Sequence, residues 1–167
     1  AVTTLCFLDA PDTADPATAY TYTPDDQTWG GDVFFGKGKA SAPVRSPVTG
    51  NYAWYTHLHE LGHALGLMHG QEATPVFGAL PRATDSMEYS VMTYRSYVGS
   101  DARFIYNEIW GHAQTYMMYD IAALQYLYGA NTSYQAGNTN WRWNPNETFR
   151  YCIWDGGGVD TLDASLL

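Results

Sequence analysis

The stretch "HELGHALGLMH", His59 to His69, puts three imidazoles and one carboxylate into eleven positions of a chain that has five histidines in all. At about 3.6 residues per turn, His59 and His63 leave a helix from nearly the same side, close enough to share one ion. His69 cannot join them from the same regular helix, so the chain has to turn. Gly66, three residues after His63, is the residue type that takes a positive φ without a Cβ clash, and it can swing His69 back. Three protein ligands with an open fourth position describe catalytic zinc; a structural site closes with four ligands, thiolates prominent, and Cys6 and Cys152 are both far away in sequence. Glu60 follows His59 directly, beside the ion rather than on it, where it can take a proton from water. Five set positions of this kind arise by chance in roughly one of twenty thousand chains of this length if residues are equally likely.

The composition narrows what such a site can serve. The 167 residues allow one principal core and are too few for two ordinary domains. Hydrophobic residues at 46%, aromatics at 16% and charged residues at 15% argue against a disordered tail or a coiled coil. Seventeen acidic against eight basic side chains give a formal charge of −9, and no run of Lys or Arg could follow a phosphate backbone. Nucleic acid is therefore excluded as a partner. No stretch approaches ~18 consecutive apolar residues, and the N-terminus lacks a basic region followed by an apolar core. The sequence is thus expected not to span a membrane, and to be a processed form or one exported by a signal elsewhere. The two cysteines allow one disulfide, worth ~4–5 kcal/mol if Cys6 and Cys152 close the long loop, or a link from Cys6 to another chain.

Working outward, "AVTTLCFLD" (1–9) reads as a buried strand, "ATAYTYTP" (17–24) as a short extended piece and "DVFFG" (32–36) as another strand. Asn51 is a good N-cap for the histidine helix, with Leu58, Leu61 and Leu65 down one face. A second helix is expected within "GHAQTYMMYDIAALQYLYGAN" (111–131), with Ile121, Leu124 and Tyr128 on one side and Gly129 as its stop. His57 lies about 200° round the helix from His59 and faces away from the metal; His112 has no assigned role. The order is strands, helix, irregular middle, helix, turns and short strands.

These residues together support a resemblance. "HELGHALGLMH" fits the metzincin pattern H-E-x-x-H-x-x-G-x-x-H, and "YSVMTYRS" (89–96) resembles the methionine turn of the serralysin branch. "YDIAALQYLYGAN" (119–131) resembles the C-terminal helix of serralysin catalytic domains, and "WDGGGVDTLDAS" (154–165) the entry to their calcium-binding β-roll. The likeness runs from about residue 17 to the end. It implies an α+β, zincin-like catalytic domain over residues 1–131: a twisted sheet, an active-site helix and a C-terminal helix, followed by the start of a calcium-binding region over 132–167. It implies Zn2+ on His59, His63 and His69, Met92 as an apolar floor beneath them, and Tyr94 as a phenol that can join the zinc. Asp155 and Asp160 are hard oxygen donors among glycines, as calcium requires. By position the resemblance implicates Asp155, Gly157, Gly158, Asp160 and Asp163, facing carbonyls from Gln135, Gly137 and Thr139, as ligands of Ca2+.

The activity so implied is that of a secreted, extracellular metalloendopeptidase: water activated by zinc, Glu60 as general base and then acid, and Tyr94 hydrogen-bonded to the developing oxyanion. An extended protein or peptide substrate is expected to pair with an edge strand assigned to "GDVFF", its S1′ wall built from residues 92–97 and tuned by Arg95 or by the tyrosines there. In the family a first helix and two or more strands come earlier. Here 58 residues precede His59, so the catalytic domain is expected to be partial at its N-terminus, the opening part being a separate chain, removed by proteolysis or absent from a shortened variant. The favoured expectation is a fragment completed by another polypeptide segment. A reading from a different class is a non-catalytic, calcium-dependent secreted binding or surface module in which the zinc is structural.

Overall fold

The computed structural model describes residues 5–11, 16, 18–25, 27–38, 43–74, 78–101 and 107–167. Val33 and Phe35 point inward and are buried while Phe34 faces the other side, the period-two pattern of a strand. This strand, β3 (Val33–Phe35), pairs with β1 (Phe7–Asp9) in parallel, Phe7 opposite Val33. It pairs with β2 (Ala19–Thr21) antiparallel, Ala19 opposite Phe35 and Thr21 opposite Val33. The sheet order is β1-β3-β2. "GDVFF" is therefore the centre of the sheet and not its edge, which corrects the expectation above: an alternating strand with two buried apolar residues is placed where both neighbours shield it. The open edge on the side of the histidine helix belongs to β2. The first strand also differs from its reading, because Phe7, Leu8 and Asp9 are exposed rather than buried; residues 1–4 of that stretch lie outside the described residues.

Helix α1 (Tyr52–Ala64) starts where Asn51 accepts the Trp54 amide at 2.8 Å and the Val48 amide at 3.1 Å. It ends in a Schellman turn: the Leu67 amide reaches back to Gly62 O and the Gly66 amide to His63 O, both 2.9 Å, with Gly66 at φ +94°. Leu58, Leu61 and Leu65 are only half-buried, and the deeply buried positions are Ala53, Tyr55, Thr56, His59, Glu60, Gly62 and Ala64. The reason is that α1 lies between two cores. Leu58 packs on Tyr55, Leu67, Met87, Val91, Met92 and Ala113; Leu61 packs on Val33, Phe35, Val44 and Ala64 under the sheet.

Helix α2 (Met118–Tyr128) begins seven residues later than the apolar stretch suggested. Residues 112–114 spend their hydrogen bonds on α1 instead: the His112 amide donates to Gly50 O and the Trp54 indole donates to Gln114 O. Gly129, at φ +85°, stops α2 as expected. Beyond it, β4 (Asn140–Arg142) and β5 (Thr161–Asp163) form a parallel pair, Asn140 opposite Thr161. Cys6 and Cys152 are both free thiols. Two helices and two small sheets make this an α+β fold, and among the described residues no helix is long and apolar enough to cross a membrane.

Candidate metal centre

α1 presents His59 and His63 one turn apart, and the Gly66 turn returns the chain so that His69 closes on them. The three rings offer nitrogens that all lie within 4.8 Å of one another. His69 Nε2 is 3.1 Å from His59 Nε2 and 2.9 Å from His63 Nε2, close to the about 3.3 Å that a tetrahedral zinc with ~2.0–2.1 Å bonds sets between two nitrogens. Each ring is fixed from behind through Nδ1: His59 to Val91 O at 2.7 Å, His63 to Leu67 O at 2.9 Å, His69 to the Glu72 carboxylate at 2.9 Å. A carbonyl or carboxylate oxygen can only accept, so each Nδ1 is the donor, and in a neutral ring that leaves Nε2 as the lone pair. Three lone pairs turned toward one point repel unless a cation sits among them. The donor set therefore fits zinc.

Burial supports the same protonation state. It lowers the pKa of His59 to about 3, helped by the neighbouring His63, and lowers that of His63 as well. Glu60, 7% exposed, is pushed up by burial, with a hydrogen bond from Thr21 opposing. Tyr94 is raised by burial first and by Glu60 second, so its phenol keeps its proton; its hydroxyl lies 2.9 Å from His69 Nε2.

Met92 is buried, its sulfur against Gly62 so closely that a Cβ at Gly62 would collide with it. The loop that carries it is tied on three sides. The Tyr55 hydroxyl lies 2.7 Å from Val91 O and 2.9 Å from Thr93 O. Asp120 on α2 accepts from Ser90 Oγ at 2.6 Å and from the amides of Val91 at 2.7 Å and Met117 at 2.9 Å. Asp85 accepts from Thr93 Oγ1 and from Arg95 Nε. Arg95 is thus turned toward Asp85 and holds the loop. His57 stacks on Phe35 at 4.3 Å, away from the triad, and His112 lies buried against Tyr52 and Tyr55.

Comparison with known proteins agrees with this geometry. The chain is 32% identical over 169 residues to a metallopeptidase, AprA, of Pseudomonas marginalis, an alignment covering 90% of this chain and 35% of that protein. It is 36% identical over 137 residues to the metalloprotease AprA of Pseudomonas entomophila, covering 72% of this chain and 28% of the relative. It is 34% identical over 166 residues to serralysin of Proteus mirabilis, covering 87% and 32%. This chain is serralysin-like. It spans about a third of the length of the curated relatives it matches, and no family model matches it.

In the turns after α2 the backbone is crowded at the glycines. There a Cβ at Gly156 would come within 2.5 Å of Thr132 O and 2.6 Å of Tyr134 O, and one at Gly158 within 2.5 Å of Gly137 O. Gln135 is at φ +51°, Gly157 at +153° and Gly158 at +114°. Asp155 accepts the Gly157 amide with one oxygen, while its other oxygen is buried with no partner. Asp160 accepts the Thr139 amide at 2.9 Å. Backbone carbonyls and a carboxylate oxygen are the donor types that a hard cation takes. Asp163 is placed differently: it is taken up by Arg142 at 3.3 Å and by the Ser165 amide at 2.9 Å, and these hydrogen bonds from Ser165 lower its pKa.

Four residues of the centre escaped the sequence reading. Thr21, Glu72 and Asp120 support the motif residues from other elements, with only Glu72, three positions past His69, close in sequence; Gly62 lies within the motif itself, where its missing Cβ admits the Met92 sulfur.

Proposed function

We propose that this chain acts as a zinc-dependent endopeptidase. The observation that carries the reading is the convergence of three histidine Nε2 atoms beside a buried carboxylate and the Tyr94 hydroxyl. Zinc on His59, His63 and His69 supplies Lewis acidity, acidifying water and polarising a carbonyl. Glu60, its basicity raised by burial, takes the proton from the attacking water and delivers it to the leaving amine nitrogen. Tyr94 keeps its proton and donates a hydrogen bond to the oxygen of the scissile carbonyl as charge develops there. Met92 closes the space beneath the rings to water. An extended peptide would pair with the open edge of β2, whose Thr21 touches Glu60.

Asp155, Asp160 and the backbone carbonyls near Gly156 and Gly158 would hold Ca2+, with Gln135, Gly137 and Thr139 on the facing turn. We divide the chain accordingly into a catalytic part over 1–131 and a calcium-binding part over 132–167. Weak calcium sites of this kind suit the extracellular space, where the ion is abundant, which supports a secreted protein. β1, with Phe7 and Leu8 exposed, offers an edge on which a further polypeptide segment could complete the sheet.

Glu60→Gln tests the reading. Casein or peptide hydrolysis should fall by about 10²–10⁴-fold while elemental analysis still finds zinc. Hydrolysis equal in both proteins, or absent from both, overturns it.

A further inference from the structure

β2 does more than border the cleft. Thr21 ends that strand, opposite Val33, and its hydroxyl lies 2.6 Å from Glu60 Oε2 and 3.2 Å from the Glu60 main-chain oxygen. A hydroxyl has one proton to give, and the charged oxygen at the shorter distance is the stronger acceptor. We propose that Thr21 is the positioning residue of the general base: it holds Oε2 and leaves Oε1 to receive the proton of water.

The argument rests on what else restrains Glu60. A glutamate has three rotatable bonds, and α1 fixes only its Cα–Cβ vector. Among the described residues, Thr21 supplies the hydrogen bond to its carboxylate. Catalysis by a base depends on its placement within a fraction of an ångström, and a side chain held only by packing samples several rotamers. Because Thr21 belongs to the strand proposed to seat the substrate backbone, base and substrate are registered on one rigid element. This rests on the endopeptidase reading.

The test compares Thr21→Val, which keeps the shape and removes the hydroxyl, with Thr21→Ser, which keeps the hydroxyl, in the zinc-loaded protein. In Thr21→Val, kcat should fall about tenfold, a part of the 10²–10⁴ that a general base contributes, with KM and zinc content unchanged. Thr21→Ser should restore most of the rate. A readout independent of turnover is a stability cycle in the zinc-free protein. Thr21→Val should lower Tm by about 4 °C in the native background and by little in Glu60→Ala, as expected when a hydrogen bond to a charged group is shared. The proposal is overturned if Thr21→Val keeps its kcat, if Thr21→Ser is as slow as Thr21→Val, or if the Tm loss is the same in both backgrounds. A native protein that cleaves no faster than Glu60→Gln would instead end the endopeptidase reading and the catalytic consequence with it, while the stability cycle would still report on the pair.

Discussion

The triad and the glycine turns after α2 present their donor atoms in different ways. At the triad the donors are side chains, and a second set of hydrogen bonds fixes every one of them from behind: Val91 O, Leu67 O and Glu72 on the rings, Asp120 and Asp85 on the loop beneath. In the turns most donors are backbone carbonyls, exposed, and steadied mainly by a three-residue parallel pair. A side-chain site can be pre-organised by the surrounding fold. A site built of carbonyls would have only the path of the chain, so that binding an ion and ordering the segment would be one event.

That contrast makes acid the strongest way to separate the two regions. His59, His63 and His112 are held neutral in the folded chain, by burial above all, and become free to protonate on unfolding. Their contribution is complete above the unfolded value near 6.5 and drains as the pH falls toward the folded value, about 3 for His59. The zinc-free protein should keep a level Tm above about pH 7 and lose it steadily below 6.5. Residues 132–167 contain no histidine, so hydrogen exchange should show the triad region opening first. A Tm that stays flat down to pH 4 would mean that these rings are solvated, and the picture of a buried triad would be wrong.

The next largest effect belongs to Asp120, whose buried carboxylate joins α2 to the methionine loop through two hydrogen bonds and caps α2 with a third, from the Met117 amide. Asp120→Ala leaves those donors unpaired and should cost about 3 kcal/mol, or about 6–12 °C in Tm. Glu72 offers the complementary case. Its pair with His69 is half exposed, so Glu72→Gln should barely change the zinc-free Tm, since such pairs contribute at most about 1 kcal/mol. The ring would nevertheless lose the carboxylate that orients it, and zinc affinity measured by chelator competition should weaken about 10–100-fold. A variant that loses stability but keeps its affinity would reverse the proposed division of labour.

How far these regions could be read from the sequence follows from the same physics. Spacing alone placed His59, His63 and His69 and assigned Gly66 its turn, because helical period and positive φ are local properties. The supports were invisible: Thr21 comes from a strand 39 residues away, Asp120 from a helix whose start the apolar pattern misplaced, and Gly62 looks free until Met92 packs on it. The same limit misassigned β3 as an edge, since alternation says that a strand is half-buried and not how many neighbours it has. Leu58 and Leu61 read as one stripe although they serve two cores, because a period describes one helix and not what surrounds it.

The turns allow the smallest and most local prediction. Asp155 is the one carboxylate there with a buried oxygen that nothing in the fold satisfies, and leaving such an atom unpaired costs stability until a cation reaches it. Calcium at ten times its Kd should therefore add about 1.4 kcal/mol of stability, and should protect residues 132–167 from proteolysis more than it protects α1. Asp155→Asn keeps the hydrogen bond to the Gly157 amide but removes the charge, so it should abolish the calcium response while leaving zinc affinity untouched. Asp163→Asn should keep most of the response, because that side chain is already spent on Arg142 and Ser165. Loss of the response in Asp163→Asn and its survival in Asp155→Asn would move the ion to β5 and leave the orphaned oxygen without an explanation.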